Sequence, residues 1–184
     1  GLGDVYKRQA YMYQNKLMDG VQGNAGYIGH TVLNAEGPMC VCGNRGCLDA
    51  YAGELALNRR YQELTNSENE SYYTMRDFMK LSRNGDAVSQ KILKDAAFYL
   101  GITISNLIKI LEPKMVLIAS CEPLKGTTYW NIMEETIKKY HINEMETRLE
   151  LREAQLLEDD YALGACCYVF EYLFETPRLS LAIL

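Results

Sequence analysis

One histidine and three cysteines fall within eighteen positions, and their side chains are the strongest candidates for chemistry in the sequence. They are His30, Cys40, Cys42 and Cys47. One imidazole nitrogen and three thiolates form the donor set of a structural zinc ion with tetrahedral coordination. Because protein side chains fill all four positions, no open position is left for an activated water. The sequence therefore predicts a structural zinc site rather than a catalytic one.

The residues between these candidates favour tight turns. Gly37 and Pro38 turn the chain inward, and Gly43, Asn44 and Gly46 tolerate positive φ angles. One alternative is that the cysteines are reduced thiols packed as small apolar groups, but three of them so close together among glycines are hard to explain by packing. A disulfide is the other alternative. Positions 40 and 42 are too close to pair comfortably, and nothing in the chain indicates an oxidising compartment.

Composition excludes several classes of protein. The 184 residues are 48% hydrophobic and 23% charged, which is typical of one ordinary globular domain. The formal charge of −5 leaves no basic face for nucleic-acid phosphates, so these residues are not expected to bind DNA themselves. There is no apolar run of about twenty residues and no signal peptide, which predicts a cytoplasmic protein without a membrane anchor. The remaining cysteines, Cys121, Cys166 and Cys167, are expected to be buried free thiols.

The first half of the chain predicts a hairpin followed by helices. The hairpin is expected over residues 11–18. A helix over residues 54–64 leaves the loop that carries the four candidate ligands, residues 30–47, which is called the metal loop below. Thr74 and Asp77 form a capping-box pattern, which opens a short helix that ends at residues 84–85.

The longest predicted element is a helix over residues 86–111. Asp86 caps its start and Pro113 ends it. Its apolar residues recur three or four positions apart and form one broad face, which is expected to lie in the core. They are Val88, Ile92, Leu93, Ala96, Leu100, Ile104, Leu107, Ile108 and Leu111. Residues 115–119 form a continuous apolar run directly afterwards and are expected to be a buried parallel strand.

The last third of the chain continues the alternation. A helix is expected after residues 126–128 and up to about residue 140, a strand over residues 148–154 and a final helix over residues 161–174. The acidic residues 158–160 precede the final helix, where carboxylates favour the helix dipole, so this cluster does not require a metal. The whole order predicts an α/β protein.

The stretch GHTVLNAEGPMCVCGNRGCLDAY, residues 29–51, closely resembles the signature of the ROK family, which groups bacterial sugar-responsive repressors and sugar kinases. In that family the same histidine and three cysteines bind zinc, and their loop borders the sugar pocket. The resemblance implies the C-terminal lobe of the ribonuclease-H-like, actin-like ATPase fold, with an inserted zinc-binding loop. Residues 10–176 are expected to form this effector lobe, residues 1–9 are interpreted as a non-native leader, and residues 177–184 as a tail.

The resemblance also implies the sugar-binding residues, which are Asp49, His30 and Tyr27. Asp49 stands where the family has a glutamate, so the charge is kept and the reach is shorter. Tyr27 replaces the other glutamate of the family. A carboxylate can accept two sugar hydroxyl hydrogens, whereas a phenol offers one oxygen on a ring. His30 is expected to reach the ligand through its second ring nitrogen while the zinc fixes its orientation.

The end of the strand at residues 115–119 distinguishes the two branches of the family. ROK kinases have a pair of glycines there, which let the backbone approach the nucleotide. This chain has Ala119, Ser120 and Cys121, which resembles the repressor branch. The phosphate-binding segment and the general-base aspartate of ROK kinases are not found in this sequence, so the chain alone is not expected to be a kinase.

The resemblance thus implies a sugar-sensing effector domain of a ROK transcriptional regulator. Its expected partners are a sugar or sugar-phosphate effector and further copies of the chain, with DNA contacted only through a separate N-terminal domain. Two alternatives remain open. One is a lobe of an ATP-dependent ROK sugar kinase similar to glucokinase. The other is a zinc-stabilised dimerisation module without a ligand, which Tyr27 favours.

Overall fold

The chain alternates helices and strands in the order that the hydrophobic pattern predicts. The computed structural model describes residues 10–14, 16–18, 20–21, 25–66, 71–120, 122–140, 149–155, 163–164 and 166–167. The elements in these ranges are β1 (Met12–Tyr13), β2 (Lys16–Leu17), a short 3-10 helix (Ile28–His30), α1 (Asp49–Ala52), α2 (Glu54–Thr65), α3 (Met75–Arg83), α4 (Ala87–Leu111), β3 (Met115–Ser120), α5 (Thr128–Tyr140) and β4 (Glu150–Gln155). The α/β prediction is confirmed.

Helix α4 forms the centre of the described structure and packs against α1, α2, α3 and α5. Its start is fixed by the Asp86 carboxylate, which accepts a hydrogen bond of 2.6 Å from the Ser89 backbone N–H. It ends where Glu112 adopts a positive φ of 43°, directly before Pro113. The predicted apolar face is buried: Ile92 and Ala96 are fully inaccessible, and Ile104 is 4% exposed. The predicted helix and its core face are confirmed.

A close approach of helices α4 and α5 completes the core. An added Cβ on Gly101 would lie 2.6 Å from the Thr136 Cβ and 2.8 Å from the Met133 carbonyl oxygen. Both distances are shorter than any side chain tolerates, so glycine is required for the two helices to pack at this separation. Helix α5 also buries Trp130, whose indole N–H donates to the Glu134 carboxylate at 3.0 Å.

Polar contacts fix α2 and α3 relative to each other. The predicted capping box is present, because the Thr74 hydroxyl accepts from the Asp77 N–H while the Asp77 carboxylate accepts from the Thr74 N–H. The buried Asn58 amide donates to the Tyr73 carbonyl at 2.7 Å and accepts from the Tyr73 N–H at 2.8 Å. These bonds hold the segment before α3 against α2, next to the metal loop.

The described strands form two separate pairs. Strands β1 and β2 are antiparallel, as the predicted hairpin requires, and β3 and β4 are parallel, with Val116 opposite Leu151. The prediction that residues 115–119 are buried on both faces is wrong. Met115 and Leu117 are 41% and 56% exposed, because only the face that carries Val116 and Ile118 packs against the core. Among the described residues, helices cover only one face of this two-stranded sheet. Successive side chains of a strand point to opposite faces, so every second side chain is exposed.

Two of the three remaining cysteines lie within the described residues. Cys166 and Cys167 are free thiols but exposed, so the prediction that they are buried is wrong. Neither belongs to the hydrophobic clusters that the described residues form. Cys121, the acidic residues 158–160 and most of the helix predicted over residues 161–174 lie outside the described residues.

Candidate metal centre and adjoining cleft

A folded loop of about twenty residues brings the four metal-binding candidates together. The short 3-10 helix at Ile28–His30 presents the imidazole, and an isolated antiparallel bridge between Met39 and Arg45 shapes the turn that carries Cys40 and Cys42. A second bridge joins Val32 to Cys47. Backbone pairing thus closes the loop at its base, between Val32 and Cys47, and near its tip, between Met39 and Arg45, without a metal ion.

Two glycines in this loop are required by close contacts. Gly46 has a φ of +68°, and an added Cβ would lie 1.6 Å from the Asn34 carbonyl oxygen. An added Cβ on Gly37 would lie 2.2 Å from the Tyr51 hydroxyl oxygen. Gly43 also has a positive φ, of +91°, whereas Asn44 is not among the described residues with positive φ. Gly43 and Gly46 thus use the positive φ that the sequence predicts they tolerate, whereas Asn44 does not use it.

The donor atoms of the four candidates form one compact cluster. His30, Cys40, Cys42 and Cys47 each offer an atom, and no two of these atoms are more than 4.8 Å apart. The Cys40 sulfur lies 3.6 Å from His30 Nδ1, and the Cys42 sulfur lies 3.6 Å from the Cys47 sulfur. Tetrahedral zinc, with bonds of about 2.3 Å to sulfur and about 2.0 Å to nitrogen, sets neighbouring donors about 3.5–3.8 Å apart. The closest pairs already have this spacing, so the residues fit a four-coordinate ion.

The three thiols of the cluster lie in different electrostatic environments. Burial raises the pKa of Cys47 to about 12, since a thiolate there would lose its hydration, and the neighbouring Cys42 and Cys40 thiols add to the shift. Cys42 is exposed, and a backbone hydrogen bond from Asn44 lowers its pKa. Three thiolates so close together require a compensating positive charge, which a divalent cation supplies. The cluster is therefore suited to a metal ion rather than to an apolar core.

A buried carboxylate adjoins the imidazole of the cluster. Asp49 Oδ2 lies 3.9 Å from His30 Nδ1, and the side chain of Asp49 is only 6% exposed. An added Cβ on Gly29 would lie 2.6 Å from Asp49 Oδ1, so glycine at that position makes room for the carboxylate. Because Nδ1 faces Cys40 and Asp49, the other ring nitrogen of His30 is on the opposite edge of the ring.

The third sugar-binding candidate lies beside the same imidazole. The ring of Tyr27 is parallel to that of His30 within 9°, with centroids 6.4 Å apart, and Tyr27 is 42% exposed. The structure thus places Tyr27, His30 and Asp49 side by side at the edge of the metal cluster.

A cleft of about 700 Å³ separates the metal loop from helices α2 and α4. Met39, Cys40 and Val41 form one wall, and residues of the two helices form the other. The Arg60 guanidinium bonds to the Asp95 carboxylate at 2.5 Å and holds α2 against α4 there. The sequence does not predict this cleft, because its lining residues are dispersed along the chain and only the folded structure brings them together. The exposure of Leu55, which marks this cleft, appears only once α2 and α4 are packed.

The loop that joins β3 to α5 is held by two glutamates. Glu122 accepts from Arg76 at 3.2 Å and from Arg83 at 3.3 Å, which ties the loop to α3. The Glu153 carboxylate on β4 accepts from the backbone N–H groups of Leu124 and Lys125. An internal carboxylate therefore occupies two amides of the kind that bind phosphate in nucleotide-binding loops.

Comparison with known proteins identifies the family. A family model described as the ROK family matches residues 9–171. The chain belongs to the ROK family. This ROK chain is 27% identical over 175 residues to a xylose repressor from Caldicellulosiruptor bescii, covering 90% of the chain and 44% of the relative. It is 28% identical over 159 residues to a glucokinase from Halalkalibacterium halodurans, and the match covers 80% of this chain and 48% of the glucokinase. The ROK chain thus spans less than half the length of these curated relatives.

Solved ROK structures share the fold of the described residues. A ROK hexokinase from Thermus thermophilus superposes with a TM-score of 0.73 at 27% identity, over 88% of this ROK chain and 53% of the hexokinase chain. A ROK family transcriptional regulator, described as a homologue of the Escherichia coli MLC protein, gives a TM-score of 0.71 at 22% identity. The match covers 82% of this chain and 40% of the regulator chain. The similarity to the transcriptional regulator shows that the two chains share a fold and carries no statement about function. None of the helices among the described residues is both long and apolar enough to cross a bilayer.

Proposed function

We propose that this chain is the sugar-sensing effector lobe of a ROK-family transcriptional regulator, and that a structural zinc ion holds its ligand-binding loop in shape. The observation that carries the proposal is the cluster of one imidazole and three sulfurs with a buried carboxylate beside it. A cytoplasmic homo-oligomer that contacts DNA through a separate N-terminal domain belongs to the same proposal. Residues 10–176 correspond to the lobe.

In this proposal the zinc ion is bound by His30, Cys40, Cys42 and Cys47. The ion supplies positive charge and a fixed tetrahedral geometry to the loop. His30 binds through Nδ1, which faces Cys40, so its opposite nitrogen is oriented toward a ligand. The Asp49 carboxylate accepts hydrogen bonds from sugar hydroxyls, and Tyr27 packs its ring beside them. Ligand binding then shifts a population of regulator between states that bind and release DNA.

The β3–α5 loop favours a regulator over a kinase. Strand β3 ends in Ala119 and Ser120, so no pair of glycines lets the backbone approach a nucleotide. Glu153 already occupies two backbone amides of the following loop. A phosphate at those amides would have to displace a carboxylate that is part of the fold. Xylose and N-acetylglucosamine repressors are among the relatives, which is consistent with a regulator.

Calorimetry with xylose, glucose and N-acetylglucosamine tests ligand binding directly. We expect heat of binding with at least one of these sugars and none with the Asp49→Asn variant, because a neutral amide accepts hydroxyl hydrogens less strongly than a carboxylate. Glu36→Gln, which neutralises an exposed carboxylate on the same loop, is the matched control and should bind as the wild type does. Absence of heat with every hexose, pentose and amino sugar at millimolar concentration would reject the sensing role and leave the zinc-stabilised dimerisation module.

A kinase lobe is the second candidate, because a ROK hexokinase and a glucokinase are among the similar proteins. Titration of the chain with ATP and Mg²⁺ separates the two. We expect no heat of nucleotide binding, since Glu153 blocks the amides of the β3–α5 loop. Saturable ATP binding by the wild-type chain would instead favour the kinase.

A further inference from the structure

Two of the three sulfurs in the metal cluster lie close enough to react with each other. The Cys42 sulfur is 3.6 Å from the Cys47 sulfur, and a disulfide bond is about 2.0 Å long, so a short movement joins them. The Cys40 sulfur lies 3.6 Å from His30 Nδ1, and a single residue separates Cys40 from Cys42, which is too close to pair comfortably. The geometry therefore favours Cys42 and Cys47 as the pair that forms a disulfide.

Exposure distinguishes the two partners of this pair. Cys42 is exposed, whereas Cys40 and Cys47 are 5% and 0% exposed. An oxidant that arrives from solvent therefore meets the Cys42 sulfur first, because oxidation of cysteine follows access to the sulfur. Cys47 can react only with a group that is already beside it. An exposed cysteine next to a second cysteine that resolves its oxidised form is the arrangement found in redox sensors.

The backbone around the pair lets Cys42 move while Cys47 stays fixed. Gly43, next to Cys42, is surrounded by open space, since an added Cβ would meet no described atom within 4 Å. Val41, on the other side of Cys42, is 68% exposed. Cys47 is held by the isolated bridge to Val32. The exposed sulfur can thus approach the buried one without rearrangement of the base of the loop.

We propose that the metal loop is a redox switch, in which a peroxide joins Cys42 to Cys47 by a disulfide and the zinc ion is released. The inference rests on the zinc site of the proposed function. Bound zinc holds the sulfurs as thiolates, which are the form of cysteine that attacks a peroxide. In the cytoplasm of the same proposal the loop stays reduced, and the disulfide forms transiently under oxidative load.

The two steps of the reaction need only the peroxide and solvent protons. The Cys42 thiolate attacks one oxygen of hydrogen peroxide, the O–O bond breaks, and a sulfenic acid forms on Cys42 with release of hydroxide. The Cys47 thiolate then attacks the Cys42 sulfur, the S–O bond breaks, and the S–S bond forms with release of a second hydroxide. Each hydroxide takes a proton from solvent. In sum, two thiolates lose two electrons and one peroxide is reduced to two waters.

Formation of the disulfide removes two of the four metal donors. His30 and Cys40 alone hold zinc weakly, since a structural zinc site uses four protein ligands. Without the ion, the imidazole of His30 loses the bond that fixes its orientation beside Asp49, whose carboxylate lies 3.9 Å from Nδ1. The switch thus makes the sugar response depend on oxidation.

Peroxide treatment of the zinc-loaded chain tests the switch. We expect hydrogen peroxide to release zinc and to form the Cys42–Cys47 disulfide in equal amounts, and dithiothreitol with added zinc to reverse both changes. A colorimetric chelator measures the released zinc, and peptide mapping by mass spectrometry identifies the linked cysteines. Zinc that stays bound under peroxide, or a linkage that joins Cys40 to either partner, would overturn the proposal.

Substitution of the exposed cysteine tests its role in oxidising the buried one. In protein as purified, we expect peroxide to leave Cys47 reduced in Cys42→Ser, because no oxidised sulfur then lies beside the buried thiol. Cys167→Ser, which removes an exposed thiol outside the cluster, is the matched control and should form the disulfide as the wild type does. Alkylation after unfolding counts the reduced Cys47. Equal oxidation of Cys47 in both variants would reject the role of Cys42.

Sugar calorimetry on reduced and oxidised wild type tests the consequence for the ligand site. We expect the affinity to be about tenfold lower after oxidation, within the usual range of coupling between two sites. Equal affinities would reject the link between the disulfide and the sugar response. Failure of the proposed function has a different outcome, since the reduced protein would then hold no zinc or bind no sugar before any peroxide is added.

Discussion

Cys42 and Cys47 belong to one cluster but differ sharply in environment. Cys47 is fully buried and its pKa is raised to about 12, whereas Cys42 is exposed and its pKa is lowered. Without a cation, the buried thiol stays protonated and contributes only its packing. With a divalent ion, both sulfurs become ligands, and the binding free energy adds to the stability of the fold.

Replacement of Cys47 by serine tests this contribution. We expect the wild type to hold about one zinc per chain and Cys47→Ser to hold almost none, because a hydroxyl does not replace a thiolate on zinc. At free zinc 100-fold above the dissociation constant, ligand linkage adds about 2.7 kcal/mol to the free energy of unfolding. For a chain of this size, that corresponds to a melting temperature about 5–10 °C higher. Elemental analysis and thermal melts with added zinc provide the measurement.

Cys167→Ser is the matched control for this experiment, since it removes an exposed thiol outside the cluster. It should bind zinc and melt as the wild type does. Wild-type protein without stoichiometric zinc would contradict the metal assignment, and so would a Cys47→Ser variant that retains it.

The sequence was sufficient to predict that the four candidate ligands lie together, because all of them are on one short loop, where spacing and turn residues constrain the geometry. His30 and Cys47 are brought together by local backbone pairing, so little long-range information was needed. The adjoining cleft could not be predicted in the same way. Leu55 and Phe98 come from different helices, and their exposure depends on how α2 and α4 pack, which no local pattern specifies.

At the level of elements, the contact between α4 and α5 depends on one residue without a side chain. Gly101→Ala would place a methyl group 2.6 Å from the Thr136 Cβ, so one helix must move. We expect a loss of about 1–3 kcal/mol in the free energy of unfolding from overpacking, offset by up to about 1 kcal/mol of better helix propensity. Urea denaturation of both proteins measures the difference.

Asn106→Ala, at an exposed position of the same helix, serves as the control. It also introduces alanine but meets no neighbouring helix, so better helix propensity should raise the free energy of unfolding by up to about 0.7 kcal/mol. If Gly101→Ala were stabilised in the same way as this control, the two helices would not be in the close contact described.

The boundaries of most elements followed from the sequence, because caps and breakers are local signals. Asp86 and Pro113 bound α4 as predicted, and Thr74 opens α3. The burial of β3 did not follow. A continuous apolar run predicts a strand covered on both faces, but the described residues cover only the face of Val116 and Ile118. Burial depends on how many layers surround a strand, which is a property of the whole fold.

At the level of the whole molecule, one buried and one partly buried phenol make the free energy of unfolding depend on alkaline pH. Burial raises the pKa of Tyr51 and of Tyr61, and in each case a nearby group, Tyr99 or Asp86, adds to the shift. Above about pH 10 the unfolded chain releases these protons while the folded chain retains them. The unfolded state is then favoured, so the free energy of unfolding falls as pH rises through this range.

Chemical denaturation between pH 8 and about pH 11 measures this slope. We expect Tyr61→Phe to flatten the decline relative to the wild type, because phenylalanine releases no proton in either state. Tyr13→Phe, which changes an exposed tyrosine, is the control and should leave the decline as it is. Equal slopes in all three proteins would show that the Tyr61 phenol does not govern the fall in the free energy of unfolding at alkaline pH.

The two backbone amides held by Glu153 also impose an order on folding during synthesis. Leu124 and Lys125 precede their acceptor by nearly thirty residues, at sequence separations of 29 and 28. While the chain leaves the ribosome, the carboxylate that accepts from these amides is made only when β4 emerges. Helix α5 can therefore form early on its own hydrogen bonds, but the turn that leads into it takes its final shape only when β4 arrives beside β3.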